Sequence, residues 1–104
     1  VQSDAELTKA VLNGNKEAFA ALVKRYERPV RAEAMHIVGD YHSVADVAQD
    51  AFIRAYKRLP ALRRPEAFGP WLMKITRRCA LDFARERSRE GPLEITPTQA
   101  AENP

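Results

Sequence analysis

The chain has 104 residues, 45% of them hydrophobic and 30% charged, with a net charge of +3. That length gives one domain with a modest core, and no apolar run approaches the roughly 18 residues of a membrane span. The opening residues, VQSDAEL, lack the basic-then-apolar pattern of a secretory signal, and Cys79 is the only cysteine, so the reading is a cytoplasmic protein without an internal disulfide.

The small net charge hides a segregation. Residues 1–50 carry six Lys/Arg and eight Asp/Glu, residues 51–90 carry eleven and four, and residues 91–104 carry none and two. A basic second half suits a polyanion, and the acidic first half suits a different partner.

In chain order, Ser3 and Glu6 have capping-box spacing, so Ser3 or Asp4 opens a short helix through Leu12. Asn13-Gly14-Asn15 breaks it, with Gly14 as a left-handed stop and Asn15 as the next N-cap. A long helix over Lys16–Val38 follows, holding Phe19, Leu22, Val23, Tyr26, Val30, Ala34 and Ile37 on one face. Pro29 removes one backbone bond inside it, which predicts a kink rather than two helices. Gly39-Asp40 ends it.

Ser43 and Asp46 repeat the capping spacing, which predicts a third helix over Ser43–Leu59. Val44, Val47, Ala48, Ala51, Phe52, Ala55 and Leu59 form its core face, and the small alanines admit a close neighbour. Asp46, Gln49, Asp50, Ile53 and Lys57 point the other way. A lone exposed isoleucine is ordinary on a protein surface; set among carboxylates, Ile53 is equally a candidate for a protein-docking face.

Residues 60–67, PALRRPEA, read as an irregular connector stiffened by Pro60 and Pro65 and charged by Arg63 and Arg64. The last helix spans Phe68–Arg89. Phe68, Leu72, Ile75, Thr76, Cys79 and Phe83 share its apolar side, and that position makes Cys79 a buried, inert thiol. Lys74, Arg77, Arg78 and Arg85 share the opposite side, and Trp71 lies on the border. An aromatic at the edge of a cationic stripe, next to a stiff Arg-rich loop, suits unstacked nucleic acid; the candidate contacts are Arg63, Arg64, Phe68, Trp71, Lys74, Arg77, Arg78 and Arg85. From Glu90-Gly91-Pro92 onward the periodicity dissolves, so residues 1–89 form the domain and residues 90–104 read as a flexible linker. The fold class is all-α, a compact bundle of about four helices with a functional loop between the last two.

Catalytic and metal-binding patterns are missing. His36 and His42 have no second ligand at metal spacing, Asp46 and Asp50 have no third group, and there is no glycine-rich phosphate loop. Neither an enzyme nor a cofactor-binding protein is expected.

Asp4-Ala5-Glu6-Leu7, the run Asn13–Phe19, the run Ser43–Ala55, and Trp71-Leu72-x-x-Ile75-x-Arg77 with Asp82 have a further meaning together. In this order and spacing they resemble region 2 of the extracytoplasmic-function sigma factors of bacterial RNA polymerase, over about residues 4–89. The resemblance implies that Asp46, Gln49, Asp50 and Ile53 dock on the clamp helices of the largest subunit of core RNA polymerase. It implies that the connector and the start of the last helix capture a flipped base of the minus-ten promoter element on the non-template strand, while the basic face holds the backbone. It also implies an anti-sigma factor as regulator. Thr76 and Arg78 stand where the family commonly shows Ala and Asn. The helix-turn-helix domain that reads the minus-thirty-five element is missing, so the chain is read as a fragment, with residues 90–104 starting the linker toward that domain.

Two other classes compete. A duplex-reading helix-turn-helix regulator would join its helices by a turn of about 3–4 residues, which the connector with its two prolines exceeds. A helical adaptor would leave the basic half as solubility charge.

Overall fold

A computed structural model describes residues 1–94. Among them are four α-helices and no strand: α1 (Asp4–Leu12), α2 (Lys16–Val38), α3 (Tyr41–Arg58) and α4 (Phe68–Glu94). Two short 3-10 turns, Leu59–Ala61 and Pro65–Ala67, join α3 to α4.

The helix boundaries follow from local chemistry. Ser3 Oγ accepts from Glu6 N at 3.1 Å, and Ser3 N donates to Glu6 Oε1 at 2.8 Å, which completes the capping box. Asn15 Oδ1 accepts from Glu17 N and Ala18 N to open α2. Gly14 (φ 101°) and Gly39 (φ 66°) take the left-handed conformations that end α1 and α2. α2 runs through Pro29 as one element, with the proline exposed.

Two boundaries differ from expectation. α3 begins at Tyr41, capped by Asp40, whose Oδ1 accepts from His42 N. Ser43 is buried and donates its hydroxyl to Asp40 Oδ2 at 2.6 Å; it braces the cap and is not the cap itself. The C-terminal helix continues to Glu94, five residues past Arg89. The rest of the stretch read as linker, residues 95–104, lies outside the described residues.

α2 packs against all three other helices, and α3 against α4. Leu22, Val30 and Ala34 of α2, Val47 and Ala51 of α3, and Phe68, Leu72 and Ala80 of α4 are essentially inaccessible. Thr76 is also fully buried, and its hydroxyl donates to Leu72 O at 2.9 Å, one turn back. A hydroxyl in this core position is therefore satisfied within its own helix. Cys79 is buried as expected, and burial pushes its thiol up to about 11, away from reactivity.

At the start of α4 the packing is tight enough to demand glycine. A Cβ on Gly69 would lie 2.6 Å from the Tyr26 hydroxyl oxygen. Tyr26 is held in place: its hydroxyl donates to Asp4, which also receives Arg25 Nη1 at 2.8 Å, and its ring meets Phe68 edge-on at 5.7 Å. Burial, reinforced by the Asp4 carboxylate, raises this phenol to about 12. Alanine is the better helix former by about 1 kcal/mol, yet overpacking typically costs about 1–3 kcal/mol, so Gly69→Ala should lower the melting temperature. Adding Tyr26→Phe, which removes the obstructing oxygen, should recover most of the Gly69→Ala loss in a double-mutant cycle. Strictly additive losses would mean that the Tyr26 hydroxyl is not what obstructs the added methyl.

Candidate nucleic-acid interface

The connector is built as a rigid rim. Leu59 is buried and anchors its start, and each 3-10 turn closes on its own backbone bond, Leu62 N to Leu59 O at 2.9 Å and Ala67 N to Arg64 O at 2.8 Å. Pro60 sits second in the first turn and Pro65 first in the second turn, where fixed φ suits the geometry. α1 packs against the second turn, so the N-terminal helix supports the loop from beneath. Between the turns, Arg63 and Arg64 are left exposed.

This rim and the first turns of α4 enclose an open depression of about 380 Å³, lined by Ala61, Leu62, Arg63, Arg64, Ala67, Pro70, Trp71 and Lys74. Four residues expected at a nucleic-acid site, Arg63, Arg64, Trp71 and Lys74, therefore meet in one concavity. Trp71 is half-buried, its ring 5.9 Å from that of Phe68 and tilted by 48°. It rests on the core on one side and lines the depression on the other. Pro70 and Leu62 add apolar wall.

Phe68 does not belong to the surface set. It is 0% exposed, wedged between Tyr26 and Trp71, and packs beneath the Trp71 ring. The remaining cations are exposed but engaged. Arg77 Nε lies 3.1 Å from Glu33 Oε2 of α2, and Arg78 and Arg85 both meet Asp82, at 3.5 and 3.2 Å. Among the described residues, Lys74 is the one cation of the α4 stripe without a carboxylate partner. Sequence reasoning missed this neutralisation, although Arg78, Asp82 and Arg85 stand at helical spacing in plain view.

Arg87 lies 44 residues beyond Ser43 and 47 beyond Asp40 in the chain, yet its guanidinium donates to Ser43 Oγ at 2.9 Å and Asp40 Oδ2 at 3.1 Å. The Ser43 hydroxyl first, then the His42 N–H and Arg87, hold the Asp40 carboxyl below its ordinary range. This clasp fastens the far end of α4 to the start of α3.

The other candidate face lies on α3. Asp46, Gln49 and Ile53 are exposed, Ile53 at 46%, while Asp50 is half-buried and paired with Arg54 at 3.1 Å. Tyr56, three residues beyond Ile53 and 41% exposed, enlarges the apolar spot; its ring is fixed edge-on against Phe19 at 5.1 Å. Its helical offset from Ile53 is the signal that could have found it. Among the described residues, no cluster of three or more His, Cys, Asp or Glu could hold a metal ion, and no helix is long and apolar enough to cross a membrane.

The sigma-70 region 2 family model matches residues 22–90. The chain belongs to the sigma-70 region 2 family. This region 2 domain is 35% identical over 103 residues to the ECF RNA polymerase sigma-E factor of Escherichia coli K12, covering 97% of this chain and 52% of that protein. It is 34% identical over 101 residues to the RNA polymerase sigma-H factor of Pseudomonas aeruginosa, covering 97% and 52% respectively. The chain thus spans about half the length of these two relatives. A solved structure of an engineered region 2 of sigmaE in complex with GTAAAA superposes with a TM-score of 0.81 at 32% identity, covering 90% of this chain and 96% of that one. The resemblance seen in the sequence, and the all-α fold read from its helical periodicity, are borne out.

Proposed function

We propose that this region 2 domain serves an extracytoplasmic-function sigma factor in the bacterial cytoplasm, without catalysis of its own. The outward face of α3 docks on the clamp helices of the largest subunit of core RNA polymerase. The depression between connector and α4 takes an unstacked base of the minus-ten element on the non-template strand, which helps the promoter open for transcription initiation. The observation that carries this reading is the depression itself: an aromatic wall, a rigid rim and three cations at one site. An unstacked base presents a flat face to Trp71 while its phosphates meet Arg63, Arg64 and Lys74. That a relative's region 2 forms a complex with GTAAAA agrees with a strand as ligand. An anti-sigma factor would regulate the protein by covering one of these faces.

The test compares single-stranded and duplex oligonucleotides carrying GTAAAA, with and without core polymerase. Preference for the single strand, strengthened by core polymerase, is expected; preference for closed duplex would favour a major-groove reader instead. In the same assay Ile53→Asp should weaken association with core polymerase by about 1–2 kcal/mol, since central apolar contacts carry much of an interface's energy. Its melting temperature should hardly move, because Ile53 is exposed. Undiminished association would remove Ile53 from the docking face.

A further inference from the structure

A chain of ion pairs runs from α3 to the basic face of α4 through one residue, Asp82. Its Oδ1 lies 3.5 Å from Arg78 Nε and 3.2 Å from Arg85 Nη1, and its Oδ2 lies 3.6 Å from Arg54 Nη1. Arg54 reaches back to Asp50 at 3.1 Å. Arg78 and Arg85 have side chains 67% and 63% exposed, open to an incoming strand. A phosphate oxygen and a carboxylate oxygen seek the same guanidinium N–H groups, and exposed pairs of this kind are weak enough for phosphate to displace.

We infer that Asp82 is a built-in competitor for phosphate, which holds Arg78 and Arg85 in reserve and sets how far the α4 basic face contributes to strand binding. It is a positioning residue that acts through the two arginines. Phosphate contacts raise affinity for every sequence alike; a carboxylate in their midst keeps that indiscriminate part low. Arg54 is a third claimant on Asp82. Removing Arg54 leaves Asp82 wholly to Arg78 and Arg85 and retains them more firmly, although Arg54 lies on α3. The inference rests on the strand-binding reading above.

The test measures, with this chain, binding of a short single strand carrying GTAAAA and of a scrambled strand of the same composition across a salt series. Asp82→Asn, which keeps the shape and removes the charge, should tighten both strands equally, by about three- to tenfold at low salt. It should also steepen the slope of log K against log salt by about 0.7 for each arginine released to a phosphate. Asp82→Glu, which keeps the charge, should stay near the original protein, and melting curves check that both variants fold. In an Arg78→Ala/Arg85→Ala background the Asp82→Asn gain should vanish. Arg54→Ala should weaken binding in the original chain and have no effect once Asp82 is Asn. Unchanged affinity and slope in Asp82→Asn would overturn the inference, as would a gain that survives loss of both arginines, since bulk charge alone would then explain it. An Arg54→Ala loss that persists beside Asp82→Asn would place Arg54 itself on the strand and equally overturn it. If the original chain binds neither strand, the strand-binding reading fails first and takes this inference with it.

Discussion

Phe68→Ala is expected to cost about 3–5 kcal/mol of folding stability, the usual range for truncating a fully buried aromatic. Phe68 is inaccessible to solvent and touches two other rings, Tyr26 edge-on and Trp71 at a tilt. It is also the first residue of α4, where the connector, α2 and the helix start converge. Its removal leaves a void that Tyr26 cannot fill while Asp4 holds its hydroxyl. For a domain this small each kcal/mol shifts melting by about 4–8 °C, so a fall of at least roughly 12 °C should be seen by circular dichroism. Phe68→Leu, which keeps much of the volume, should cost far less. A melting temperature unchanged in Phe68→Ala, together with lost strand binding, would put Phe68 back among the direct contacts.

The fate of Phe68 illustrates what the sequence could and could not tell. Periodicity put it on the apolar side of the last helix, while proximity to Arg63, Arg64 and Trp71 put it in the contact set; the structure favours periodicity. Helix existence was legible throughout because caps and stops are local: Ser3 with Glu6, Asn15, Gly14 and Gly39 act over one turn. The start of α3 was misplaced because Asp40 and Ser43 can both cap, and only the burial of Ser43 decides between them. Gly91-Pro92 reads as a stop, yet the helix passes through it. The partners of the basic stripe divide the same way. Asp82 among Arg78 and Arg85 could be read from spacing, whereas Glu33 against Arg77 depends on how α2 lies on α4. The depression itself was invisible, because its rim is shaped by α1 resting against a loop more than fifty residues away.

Trp71→Ala should weaken binding of a GTAAAA single strand by about 1–3 kcal/mol, the range for losing one base–aromatic stack, which amounts to as much as about a hundredfold. Trp71 forms the apolar wall beside Lys74 and the two connector arginines, and no other aromatic lines the depression. Because the indole carries no charge, the slope of log K against log salt should stay the same. Lys74→Ala should do the reverse, flattening the slope by somewhat under one unit and weakening all strands alike. Some stability should be lost as well, since the ring packs on Phe68. Trp71 is only partly buried and also lines the depression, so the loss should fall short of the roughly 3–5 kcal/mol of a fully buried aromatic. Binding is therefore measured well below the melting midpoint of the variant, beside Trp71→Phe, which keeps a flat ring and should recover much of the affinity. Duplex binding supplies the decisive contrast, because stacked bases have no free face to offer an indole. An equal loss for duplex and single strand, or a melting temperature as low as that of Phe68→Ala with strand affinity intact, would reduce Trp71 to a lid on the core.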